Sequence, residues 1–136
     1  MVDDTGFPTT EFFERLGRRL EADAEFSVHG RFLDLRLAFL SGSRGASLGF
    51  QEGRLVTCEE GAGAPEPDLS FSGSPEDWDG FLAEEPAPGY VDVIGMDRLR
   101  PSFSIGGDRV LLARHLRALS RLLRLAQLEG AGSPGG

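Results

Sequence analysis

At 136 residues and 40% hydrophobic content, the chain is sized for one domain around one core, and its single cysteine, Cys58, excludes an internal disulfide. A net charge of -8 opposes binding to a nucleic-acid backbone, and the absence of lysine among the 14 basic residues excludes Schiff-base chemistry. No apolar run approaches the ~18 residues of a membrane span, and no charged-then-apolar leader opens the chain, so a reducing, cytoplasmic setting is expected.

Residues 1–8 read as a flexible lead-in, 9–128 as the domain and 129–136 as a flexible Gly-rich tail. From Thr9, a hydroxyl cap followed by Phe12, Phe13, Leu16 and Leu20 at helical spacing predicts an amphipathic helix. The period then changes to two. Leu33, Leu35, Leu37 and Phe39 alternate with Asp34, Arg36 and Ala38, which predicts a half-buried strand over 32–40. SGSRG is turn chemistry, and strands over 46–51 and 54–59 flank a Glu52-Gly53 turn, so the three strands form an antiparallel meander. Leu69 and Phe71 mark a fourth strand over 68–72.

Ser74 followed by Pro-Glu-Asp starts a helix: hydroxyl at the cap, proline at the first position, acids where the helix dipole favours them. Trp78, Phe81 and Leu82 form its apolar stripe. Residues 89–98 suggest a short helix, and 102–105 a fifth strand. Gly106-Gly107-Asp108 then turns the chain into a long helix over 109–127. Its leucines 112, 116, 119 and 123 are joined by Leu111, Ala118, Leu122 and Leu125, an arc wider than an ordinary stripe. Arg114, Arg117, Arg121 and Arg124 occupy the remaining face. The composition follows the same division: residues 1–97 hold 20 acids and 7 arginines, residues 98–136 hold 7 arginines and 2 acids. The arginine stripe reads either as a solvated face or as a grip for an acidic partner such as an acyl carrier protein.

The order of elements resembles the sterol carrier protein 2 family. The local marks are Pro67-Asp68-Leu69-Ser70-Phe71-Ser72, the helix start Ser74-Pro75-Glu76-Asp77-Trp78, and Phe103-Ser104-Ile105-Gly106-Gly107-Asp108 running into the last helix. The resemblance implies an α+β fold: a five-stranded mixed, mostly antiparallel sheet covered on one side by the N-terminal, middle and long C-terminal helices. It also implies an apolar pocket between the layers for fatty acids, acyl thioesters, sterol-like or polycyclic molecules. Such ligands need a mainly apolar lining with a few polar groups at one end. Leu35, Leu37, Phe39, Leu48, Phe50, Trp78, Phe81, Phe103, Ile105, Leu112, Leu116 and Leu119 are suited to that lining, and equally to plain core. Where family members have a basic, Lys- and Gly-rich stretch before the fifth strand, this chain has Met96-Asp97-Arg98-Leu99-Arg100-Pro101.

A polar end to the pocket is expected at Asp97, Arg98, Arg100 and His115, which would orient a carboxylate, hydroxyl or phosphate. The bland reading of these four is a surface salt-bridge cluster. The alternative function is an isomerase or cyclase acting on a hydrophobic polyketide or isoprenoid intermediate, with Asp97 and His115 as acid and base. No G-x-S-x-G elbow, zinc-ligand spacing, P-loop or dinucleotide fingerprint occurs, so neither metal nor cofactor is expected. Cys58, beside Glu59 and Glu60, is expected to resist thiolate formation.

Overall fold

The computed structural model describes residues 7–61, 66–83 and 85–132. Its elements are α1 (Thr10–Ala22), α2 (Ala24–His29), β1 (Leu35–Ser41), β2 (Arg44–Gln51), β3 (Arg54–Glu60), β4 (Leu69–Gly73), α3 (Pro75–Phe81), α4 (Val93–Leu99), β5 (Ser104–Gly107), α5 (Arg109–Arg114) and α6 (Leu116–Gly132). No helix among them is long and apolar enough to cross a membrane.

The five strands form one open sheet in the order β3-β2-β1-β4-β5. Alternation sets its faces. Leu35, Leu37 and Phe39 of β1 stand opposite Phe50, Leu48 and Ala46 of β2, and in β4 Leu69 and Phe71 stand opposite Leu37 and Phe39. Paired residues share a face, so these side chains make one apolar surface beneath the helices. β1 and β4 are parallel; every other pair is antiparallel. The Glu52-Gly53 turn has positive φ at both residues, 51° and 81°, the backbone of a two-residue hairpin that follows the strand twist.

Aromatic rings fill the space between sheet and helices. Phe39 stacks on Phe71 at 5.3 Å between centroids, and Trp78 meets Phe103 edge-on at 5.4 Å. The indole N–H of Trp78 donates to the Leu40 carbonyl at 2.7 Å, so the buried ring leaves no donor unpaired.

The structure departs from the sequence-based boundaries in several places. The lead-in was expected to run through residue 8, yet Phe7 and Pro8 are buried, because the Phe7 ring packs on Trp78 at 4.7 Å and on Phe12 at 5.2 Å. Residues 1–6 lie outside the described residues. At the other end α6 continues past 128 to Gly132, secured by Arg15 and Arg19 of α1, which bind the Glu129 carboxylate at 2.9 and 3.1 Å. The rest of the expected tail, 133–136, lies outside the described residues. The long helix over 109–127 is two helices, broken at His115 (φ -108°, ψ 23°). The break lets α5 lie over β4 while α6 packs on α1 and α2. A further short helix, α2, follows α1 directly, with Asp23 ending one and capping the other.

Candidate functional site

An apolar groove of about 580 Å³ lies between α4 with its preceding loop and the α5–α6 pair. Phe81 is among the residues lining it. Val91, Val93 and Ile94 form one wall, and Leu112, Leu116, Leu119 and Leu123 form the other. Ser120, Arg124, Gln127 and Asp92 supply its polar groups. Its size falls within the roughly 300–1,000 Å³ usual for small-molecule sites. The lip remains apolar in water: Val91 is 55%, Leu116 42% and Ile94 38% exposed.

The walls are held by hydrogen bonds of polar groups in and around the groove. Gln127 is buried, and its amide nitrogen donates to the carbonyls of Val91 at 2.8 Å and Phe81 at 3.2 Å, tying the loop before α4 to α6. Its amide oxygen accepts from Arg124 at 3.3 Å. Asp92 caps α4 by accepting from the Gly95 amide at 2.7 Å. The other end of α4 is anchored through Asp77, a fully buried carboxylate that accepts from Ser102 Oγ at 2.6 Å, Arg100 Nε at 3.0 Å and the Ser74 amide at 3.0 Å. Burial opposes its ionisation, but the bonds from Ser102, Ser74 and Arg100 outweigh it and hold the carboxyl below the usual range. The Arg100 guanidinium also lies over the Tyr90 ring at 4.4 Å, and Tyr90 packs so closely on Gly80 that a Cβ there would run into the ring.

Solved structures similar to this one include sterol carrier protein 2 and its relatives over most of the chain, and the sec-alkylsulfatase Pisa1, of which the chain spans about a sixth. A crystal structure of sterol carrier protein 2 superposes with a TM-score of 0.70 at 16% identity, covering 88% of this chain and 95% of that one. The chain has the sterol carrier protein 2 fold. A conserved hypothetical protein of Thermus thermophilus matches with a TM-score of 0.72 at 15% identity, covering 99% of this chain and 97% of its own. Palmitated SCP2L2 from Aedes aegypti matches with a TM-score of 0.52 at 16% identity, over 82% of this chain and 90% of its own. No protein-family model and no curated protein matches the sequence.

On this sterol carrier protein 2 fold, the twelve residues suited to a lining divide in two. Phe81, Leu112, Leu116 and Leu119 line the groove. Leu35, Leu37, Phe39, Leu48, Phe50, Trp78, Phe103 and Ile105 lie in the packed interior, none more than 5% exposed. The four polar residues are likewise dispersed. Asp97 accepts from the Ile105 amide at 3.2 Å and from Arg109 at 3.4 Å; Arg100 belongs to Asp77; Arg98 is exposed. His115 sits at the α5–α6 break beside Arg114 and Arg117 in a shallow depression. None of the four lines the groove.

Sequence reasoning missed Val91, Val93 and Ile94, whose wall rests on a short helix with a glycine inside it, and Gln127, whose role depends on carbonyls 36 and 46 residues away. The short helix itself was expected over 89–98, and the Asp92 cap three residues before Gly95 was the available signal for where it starts. In the arginine stripe, Arg121 is bound at both carboxylate oxygens of Asp23, at 3.0 and 2.8 Å. This bond, more than any other cause, holds the Asp23 carboxyl below its usual range. The Cys58 thiol is pushed up to about 11 by burial first, then by Glu14 of α1 and by Glu59. Among the described residues no three His, Cys, Asp or Glu side chains converge as a metal site would require.

Proposed function

We propose that the protein is a carrier that binds an apolar molecule, such as a fatty acid, acyl thioester or sterol-like compound, in the groove between α4 and α5–α6. The single observation behind this is the groove itself: seven aliphatic side chains and Phe81 around a space large enough for an acyl chain, left unfilled by the protein's own packing. Contiguous exposed apolar surface is characteristic of ligand grooves and interaction sites, and the Aedes aegypti protein of this fold is palmitated. Carriage is favoured over conversion because the ionisable groups of the lining are Asp92, engaged as a helix cap, and Arg124, whose guanidinium stays protonated near neutral pH and so serves as neither acid nor base there. Asp97 and His115, the acid–base pair of the isomerase or cyclase alternative, lie outside that lining.

The test is uptake of a fluorescent fatty acid, together with native mass spectrometry of freshly purified protein and solvent extraction of what it holds. Wild type is expected to bind. Leu116→Asp, which places a charge on an already exposed part of the groove wall, is expected to fold normally and to bind at least tenfold more weakly, as burying an unpaired charge against an acyl chain requires. No uptake by wild type and no extracted hydrophobe would reject the proposal.

A further inference from the structure

The two lips of the groove differ in charge. On α6, Leu116, Ser120 and Arg124 stand four residues apart and form a ridge, with the groove on one side and a shallow depression holding Arg117 and Arg121 on the other. A second depression, at the α5–α6 break, gathers His29, Arg114, His115 and Arg117, and no carboxylate lines it. Arg121 is engaged by Asp23 at 2.8 Å and by Glu25 at 3.6 Å. Arg114 and Arg117 are exposed and form no ion pair among the described residues. The opposite lip is built from Val91, Asp92 and Ile94, and its charged group is the Asp92 carboxylate.

We infer that the arginine side of the mouth docks an acyl carrier protein, an acidic partner that presents an acyl group as a thioester on a flexible phosphopantetheine arm. The acyl chain enters the groove over the Leu116 ridge while the thioester stays intact, so no bond is made or broken. The inference rests on the carrier reading of the groove and names the source of its ligand. Free cations beside an apolar opening match a partner whose surface is acidic and whose cargo is apolar. They lie on one side of the mouth, which suits a compact protein seated next to it; an anionic surface enclosing the mouth would meet Asp92 on the far lip. Direct transfer from arm to groove also spares the methylenes exposure to water. The remainder of the chain sets the orientation: with 20 acids against 7 arginines over 1–97, it repels an acidic partner elsewhere.

Fluorescence polarisation tests this, with labelled acyl carrier protein in its dodecanoyl-charged and uncharged holo forms, at low and high salt. Wild type is expected to bind the dodecanoyl form roughly tenfold more tightly than the holo form, through the methylenes buried in the groove, and to release both in high salt. Arg114→Gln/Arg117→Gln is expected to lose about fivefold in affinity for either form, as two exposed ion pairs allow, chiefly through slower association. Arg18→Gln/Arg54→Gln, which removes the same charge from exposed positions outside both depressions, should bind like wild type. No binding, unchanged binding by the Arg114/Arg117 variant, or equal affinity for the charged and holo forms overturns the inference. So does displacement by an oligonucleotide of equal charge at the same concentration, which would make the face a general polyanion surface. Uptake of free fatty acid separates the two proposals, since Arg114 and Arg117 do not line the groove and their glutamine variant should take up ligand like wild type. Failure of uptake in wild type rejects the carrier reading, and failure to bind the charged carrier with uptake intact rejects docking alone.

Discussion

Three side chains show how local surroundings set chemistry in this protein. Cys58 hydrogen-bonds weakly to the Thr10 carbonyl, 3.9 Å away, and its thiol is pushed to about 11. About one molecule in a thousand is therefore thiolate at pH 8, against roughly a quarter for an unfolded cysteine of ordinary pKa. Ellman's reagent should modify the native protein about two orders of magnitude more slowly than the urea-unfolded chain; comparable rates would show the thiol to be free. Sequence anticipated the direction from Glu59 and Glu60, but the larger causes are burial and Glu14, which only packing of α1 on β3 brings near. Asp23 and Asp77 respond to pH in the opposite sense. Both carboxyls are lowered by folding, so above the unfolded value of about 3.9 their stabilisation is fully present. As pH falls below that value the unfolded chain takes up protons first, and the stabilisation is lost by the time pH passes through the lower folded values. Thermal unfolding followed from about pH 6 to about pH 3 should show Tm falling across the lower half of that range. Asp23→Asn should flatten part of the fall; a Tm independent of pH there would contradict the assigned bonds.

Among elements, the ones read correctly from sequence carry their determinants locally. The Ser74 capping box, with Ser74 Oγ accepting from the Asp77 amide at 3.1 Å, lies within four residues, and the strand alternation of Leu35, Leu37 and Phe39 declares its own buried face. What sequence did not reveal is set at a distance. The break at His115 occurs with neither proline nor glycine, because α5 follows the sheet and α6 follows α1 and α2. The parallel pairing of β4 with β1 joins segments about thirty residues apart with the edge strand β3 between them in the chain. Gln127 belongs to this class, since one amide holds two elements to α6. Gln127→Leu leaves the Val91 and Phe81 carbonyls without their donor and should cost about 1–3 kcal/mol. Hydrogen exchange should locate the loosening in residues 85–99, with α1 and the sheet unaffected; uniform loss of protection would mean that the loop before α4 is not separately anchored.

At the scale of the molecule, the space that the family resemblance implies, between sheet and helices, differs from the groove of the structure, which lies between α4 and the α5–α6 pair. The interlayer volume is closed by Phe39, Phe71, Trp78 and their neighbours, whereas the leucine arc lines the groove at Leu112, Leu116 and Leu119, opposite α4, with Leu116 alone of the three exposed. The excess width of that arc was legible in the sequence; which part of it would be left uncovered was not, because the opposite wall comes from Val91, Val93 and Ile94. Stability and affinity should therefore separate. A ligand that binds only the folded state at 100 times its Kd adds about 2.7 kcal/mol, which for a domain of this size raises Tm by roughly 10 °C. Leu116→Asp should unfold close to wild type without ligand and show almost none of that rise with it. Phe39→Leu should lower the ligand-free Tm by removing ring contacts in the core, about 1–2 kcal/mol, and still gain the full rise, since Phe39 does not reach the groove. Differential scanning calorimetry with and without a saturating fatty acid distinguishes the outcomes. If Phe39→Leu abolished the rise while Leu116→Asp kept it, the ligand would have to enter between sheet and helices, and the aromatic core would be the gate that parts to admit it.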